Sequence, residues 1–191
     1  MVFVIDNENN LWVAGKNHHN QLGLEYVICV NQFTNTNIKV ISVSYGDYNT
    51  VIIDQDNYLW VTGYNYYGQL GLGNTNKVNQ FTKTNIKAIS VSCGSYHTAI
   101  IDENNYLWIT GDNYYGQLGL GNINNINKFT NTNIKAISVS CGNFYTAIID
   151  ENNYLWITGS NYHGELGLGY NNINVNQFTN TNIKAISVSC G

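Results

Sequence analysis

The sequence predicts an all-β fold, a β-propeller of four four-stranded blades of about 48 residues each. Three observations predict it. Trp12, Trp60, Trp108 and Trp156 recur at a step of 48, and Asp6, Asp54, Asp102 and Asp150 keep that step, as do Gly15, Gly63, Gly111 and Gly159. Each repeat holds short β-type apolar runs divided by Gly- and Asn-rich turns. No segment has helical periodicity. The 191 residues read as one propeller domain, with repeats at about 1–46, 47–94, 95–142 and 143–191 and one inserted residue within 170–176.

The repeat from Ile86 shows the elements in order. Ile89-Ser90-Val91-Ser92-Cys93 alternates with period two and gives strand A. Thr98-Ala99-Ile100-Ile101 gives strand B. Asp102-Glu103-Asn104-Asn105 makes a hairpin turn, because Asn tolerates the left-handed conformation such turns need. Tyr106-Leu107-Trp108-Ile109-Thr110 gives strand C and stops at Gly111. After a Gly-rich loop, Phe129-Thr130 marks a short strand D. The chain opens in strand B, since Met1 is equivalent to His97, and ends in strand A at Ser189-Cys190-Gly191.

Composition excludes several functions. Net charge is −4, all eight basic residues are Lys, and they are scattered, which argues against a nucleic-acid groove. No apolar run is long enough to span a membrane. The first residues lack a signal peptide's charged and apolar regions, and none of the 34 Asn begins an Asn-x-Ser/Thr sequon, which points to an intracellular, cytoplasmic protein. Abundant Asn, Ile, Lys and Tyr with no Pro and no Arg points to an A+T-rich genome, such as that of a protist or a large DNA virus.

The stretch SVSCGSYHTAIIDENNYLWITGDNYYGQLGLGN resembles the regulator of chromosome condensation repeat. Cys-Gly, His-Thr, the acidic turn, the aromatic strand ending in Gly and Gly-Gln-Leu-Gly-x-Gly all have counterparts in that family, and the match covers the chain in four repeats, the first of them degenerate at Asn20-Gln21-Leu22-Gly23-Leu24-Glu25. Where that family commonly has Trp before the strand-ending Gly, this chain has Ala14, Thr62, Thr110 and Thr158. The resemblance implies seven blades, of which this chain supplies four, so an open arc or partial propeller is expected. The alternative is a closed four-bladed ring, with Ile186–Gly191 pairing beside Val2–Asp6. Open strand edges would be a route to self-association.

Catalytic, metal and cofactor sites are not expected. The Gly68-to-Gly73 and Gly116-to-Gly121 loops lack the helix and Lys of a phosphate loop and read as turns. Cys93, Cys141 and Cys190 share one repeat position in a narrow inner strand and read as buried free thiols; Cys29 lies in a loop. His18 and His19 have no ligand partners at metal spacing. The four Trp read as buried anchors between blades.

Strand alternation places the A–B turns and C–D loops on one face, where the four copies differ most. That face is the expected site for a protein partner, through Lys16, His18, His19, Asp47, Tyr48, Asn49, Tyr64, Tyr66, Tyr96, His97, Asp112, Tyr114, Phe144, Tyr145, Tyr162 and His163. Tyr67 and Tyr115 read as loop-packing residues. The leading function is a non-catalytic interaction scaffold. The resemblance adds a second, guanine-nucleotide exchange on a Ran-like small GTPase. That activity is expected to need a protruding blade insertion, and this chain has one inserted residue at most. Inhibition of an enzyme by the loop face is a third class, against which the absent signal peptide counts.

Overall fold

The structure is a computed structural model and describes residues 1–169 and 173–191. Among the described residues all regular structure is β, in thirteen antiparallel strands. Blade 1 comprises β1 (Val2–Ile5), β2 (Asn10–Lys16) and the first part of β3 (Cys29–Tyr45). Blade 2 takes the rest of β3 with β4 (Asn49–Asp54), β5 (Tyr58–Gly63) and β6 (Val78–Lys87). Blade 3 is β7 (Ser90–Cys93), β8 (His97–Ile101), β9 (Tyr106–Gly111) and the first part of β10 (Ile126–Cys141). Blade 4 is the rest of β10 with β11 (Tyr145–Asp150), β12 (Tyr154–Ser160) and β13 (Asn174–Lys184).

Strand D is not short. β6 has 10 residues and β13 has 11, while β3 and β10 run 17 and 16 residues from strand D of one blade into strand A of the next. The Thr-Asn-Thr-Asn segments bend without leaving the sheet. Thr36 Oγ1 donates to the Leu11 carbonyl at 3.0 Å, and Asn37 takes φ 59° with its N–H on Asn35 Oδ1. The register shift here is a bulge, which turns the strand toward the next blade. Cys29 opens β3 and is exposed, rather than lying in a loop.

The closed ring is not adopted. β1 pairs with β2 alone, and residues 185–191 form no strand. The last residues instead lie against blade 4 as strand A of a further blade would. Cys190 N–H donates to Ser140 Oγ at 2.9 Å, as Cys93 N–H does to Ser44 Oγ and Cys141 N–H to Ser92 Oγ, both at 2.9 Å. Part of the expected insertion at 170–176 lies outside the described residues.

The core lies between blades. Val51, Ile53, Leu59 and Leu70 of blade 2 pack against Cys93, Ile100, Trp108 and Phe129 of blade 3, and equivalent residues join blades 3 and 4. The tryptophans are only half-buried, contrary to expectation, because each indole N–H must reach the carboxylate of the turn before it. Asp102 shapes that turn, accepting the N–H groups of Asn104 and Tyr106 at 2.9 Å, while Asn105 takes φ 67°. Asn9, Asn57 and Asn153 take the same conformation.

The Gly-Gln-Leu-Gly loops are braced by side chains. Asn113 Oδ1 accepts the Leu118 N–H at 2.9 Å, and Gln117 Oε1 accepts that of Tyr115 at 2.9 Å. Thr110 explains the departure from the family pattern. Its hydroxyl lies 2.9 Å from the Gly68 carbonyl of the preceding blade and 2.8 Å from that of Ile126 in its own. Thr158 does the same with Gly116 and Val175. A small hydroxyl side chain thus stitches blades together. Among the described residues no helix is long and apolar enough to cross a membrane.

Candidate functional site

The two faces have opposite character. The B–C turns and D–A connections carry the ion pairs Lys83–Asp54 (2.8 Å), Lys87–Glu103 (3.8 Å) and Lys135–Glu151 (3.5 Å). The A–B turns and C–D loops carry a continuous row of rings. His19 of blade 1 meets Tyr48 edge-on at 4.7 Å, and Tyr48 stacks on Tyr96 at 5.5 Å. Tyr96 then meets Phe144 at 6.4 Å, Phe144 meets Tyr115 at 5.0 Å, and Tyr115 meets Tyr162 at 6.1 Å. Tyr64 and Tyr66 stack beside this row at 6.2 Å. The row exists because the same turn positions recur once per blade and the blades stand side by side.

The structure sorts the predicted residues by access. Tyr66, Tyr114 and Tyr162 project outward, with 67%, 68% and 59% exposure. Lys16, His18 and His163 are exposed, and none of them joins the ring contacts found among the described residues. Asp47 is exposed and lies 2.7 Å from Ser95 Oγ. Asn49 and His97 are fully buried, which removes them from the accessible surface. They lock neighbouring blades instead: Asn49 Nδ2 donates to Thr98 Oγ1 at 3.4 Å, and His97 Nε2 lies 2.8 Å from Thr146 Oγ1. Tyr145 is half-buried and its hydroxyl donates to the Gly191 carbonyl at 3.0 Å.

Sequence reasoning missed a hollow of about 670 Å³ lined by Tyr67, Tyr96, Asp112, Tyr114, Tyr115 and Phe144, with residues 123–125. Tyr67 and Tyr115 carry it; their recurrence was visible, but their position over an opening between blades was not. Asp112 is 6% exposed; burial raises its carboxyl pKa, and its Oδ2 accepts from Gln117 Nε2 at 2.7 Å. Burial also pushes the Tyr96 hydroxyl to about 12, which keeps the phenol neutral. Cys93 and Cys141 are buried and free, with Cys93 pushed to about 11 by burial, so these thiols are poor nucleophiles. No cluster of three or more His, Cys, Asp or Glu side chains fit for a metal occurs among the described residues.

Fold and face together define a propeller-type repeat protein with an aromatic loop face. The chain belongs to the regulator of chromosome condensation (RCC1) repeat family. Two models of that repeat match, one at residues 40–69, 88–117 and 136–165, the other at 56–101 and 104–149. Together they span residues 40–165 without a gap. Among solved structures, Prp20p from Saccharomyces cerevisiae is similar at TM-score 0.88 and 19% identity, over 99% of this chain and 51% of that one. Yeast RCC1 (Prp20) with bound Kap60 gives 0.87 and 19%, over 99% and 49%. Human WBSCR16 gives 0.83 and 19%, over 95% and 52%. The chain therefore spans about half the length of these structures. Comparison with curated protein sequences finds no match.

Proposed function

We propose that the chain is a non-catalytic interaction scaffold that binds a protein partner through its A–B and C–D loop face. The observation that carries this reading is the unbroken row of rings from His19 to Tyr162 across all four blades. Rigid aromatic side chains give large contact area at small entropic loss. The relatives support binding as the mode of action: yeast RCC1 is known bound to Kap60, and Prp20p has binding properties toward Gsp1p and histones. The test replaces Tyr66, Tyr114 and Tyr162 together with Ala. Capture of the native partner is lost and the melting temperature holds, because these rings are more than half exposed. Retained capture by a folded variant overturns the reading.

The second reading is nucleotide exchange on a Ran-like small GTPase, favoured by the binding of Prp20p to Gsp1p. A nucleotide-release assay with such a GTPase separates the two. Accelerated release establishes exchange, and an unchanged rate leaves the scaffold.

A further inference from the structure

We propose that the hollow in the loop face of blade 3, bordered by Tyr67 of blade 2 and Phe144 of blade 4, binds an alkylammonium group, the side chain of a lysine in the partner, between its aromatic walls and Asp112. This rests on the loop face being the binding face and names the chemistry it recognises.

The walls are Tyr67, Tyr96, Tyr114, Tyr115 and Phe144, and the opening of about 670 Å³ admits a lysine side chain with room for its backbone. Aromatic rings hold cations through the negative potential of their faces, most strongly where water is excluded. Tyr67 and Tyr96 lie 5.1 Å apart at 65°, and Tyr114 and Tyr115 lie 4.9 Å apart at 87°. All four rings line the hollow.

The carboxylate is the second, independent observation. Asp112 is more than nine-tenths buried, lines the hollow, and forms none of the ion pairs found among the described residues. Its polar contacts are neutral: the Gln117 amide and the backbone N–H groups of Asn113 and Tyr114. A buried charge without a cation is unfavourable unless something pairs it. The repeat does not require it, since Lys16, Tyr64 and Ser160 stand at the same position in the other blades. In blade 2, where Tyr64 replaces it, the equivalent amide nitrogen, Gln69 Nε2, has no partner at all. The carboxylate is thus particular to the blade that borders the hollow.

The lysines lie away from the hollow, with Lys16 and Lys77 in the loop face at blades 1 and 2. Lys39, Lys83, Lys87, Lys135 and Lys184 are engaged on the opposite side, by carboxylates, a turn carbonyl or tyrosine rings. The rings around the hollow therefore meet no lysine of their own chain among the described contacts.

The experiment uses two Gly/Ser peptides of one sequence, the first with lysine at every third position and the second with each of those lysines acetylated. Binding to the full chain is followed by NMR. The lysine peptide shifts the ring signals of Tyr96, Tyr114 and Phe144, and the acetylated peptide does not. Asp112→Asn keeps an acceptor for Gln117 and weakens the lysine peptide by about tenfold, the scale of a desolvated cation–π and charge contact. Glu103→Gln, an equal charge change on the opposite face, leaves affinity unchanged. If Asp112→Asn fails to fold, Phe144→Leu removes a wall with little loss of volume and weakens the lysine peptide alone. Absent shifts, equal binding of both peptides, or an Asp112→Asn that binds normally overturns the proposal. If native-partner capture survives Asp112→Asn but is lost in the Tyr66, Tyr114 and Tyr162 variant, the face reading stands and the ammonium site falls.

Discussion

The indole Nε1–H of Trp108 donates to Asp102 Oδ2 across 2.8 Å, tying strand β9 back to the turn that begins it. The same bond joins Trp12 to Asp6 at 2.7 Å, Trp60 to Asp54 at 2.8 Å and Trp156 to Asp150 at 2.8 Å. The body of Trp108 meanwhile packs on the core of blade 2. One side chain therefore fixes both a hairpin and an interface between blades. Trp108→Phe keeps most of the packing and loses the charge-assisted bond, at about 1.5–3 kcal/mol or somewhat less for its partial exposure. Trp108→Ala loses both, at about 3–5 kcal/mol. Urea unfolding separates the two; a Phe variant as stable as the parent would show that the bond contributes nothing.

In the first repeat the Trp12–Asp6 bond acts on the acidity of Asp6. At Asp6 the Trp12 indole, then the Asn10 side chain, hold the carboxyl at about 2, below the ordinary 3.8. A depressed carboxyl stabilises the fold above its unfolded value, and this contribution is lost as pH falls from about 3.8 to about 2. NMR titration of the Asp6 carboxyl should show that midpoint, and Trp12→Phe should move it back up. A midpoint unmoved by the substitution rules out the indole as the cause.

His97 works in the other direction of charge. Burial lowers it from 6.5 to about 3, so it is neutral in the fold while the unfolded chain takes up a proton near 6.5. Its contribution is complete above pH 6.5 and is lost as pH falls toward 3. Asn49 fills the same repeat position and bonds Thr98 as His97 bonds Thr146, so His97→Asn is accommodated. That variant should unfold with a shallower dependence on pH between 6.5 and 3. Identical acid profiles for variant and parent would count against His97 as the group responsible.

Two neighbouring glycines separate backbone strain from collision. Gly71 and Gly73 have φ of +68° and +77°, but a Cβ at Gly71 would stand 2.3 Å from Phe129 Cδ2 whereas one at Gly73 meets nothing within 4 Å. Gly73→Ala should cost about 1–2 kcal/mol for its left-handed φ. Gly71→Ala should cost about 1–3 kcal/mol more, since the ring of Phe129 must move. Chemical denaturation of the two variants reads the difference directly, and equal losses would mean the Phe129 contact is slack.

The spacing of Trp, Asp and Gly made the blades legible because each residue does one job per repeat. It did not reveal that Asp102 and Trp108 touch, although both stood in the same column of spacings. Strand D was misjudged because Thr-Asn-Thr-Asn has the composition of a turn; Asn37 and Asn133 do turn left-handed, at φ 59° and 60°, but only as bulges within a continuing sheet. On the loop face, the positions that vary among copies include Tyr162 of the ring row and Tyr64 and Tyr66 beside it, while Tyr48, Tyr96 and Phe144 stand at a position that stays aromatic. Variation among copies could not separate Tyr66, which projects, from His97, which is sealed, because depth depends on the neighbouring blade and not on the repeat itself. The hollow was hidden for the same reason.

The inner-strand contacts Ser44–Cys93, Ser92–Cys141 and Ser140–Cys190 each join a blade only to its successor. The strands that hold Ser92-Cys93 and Ser140-Cys141 each carry both halves, the serine acceptor for the next joint and the cysteine N–H donor for the preceding one. Stability in such an array is a sum over units and nearest-neighbour couplings. A duplicated or deleted unit therefore leaves complementary halves facing each other, and the number of blades can change in evolution without any new contact being invented.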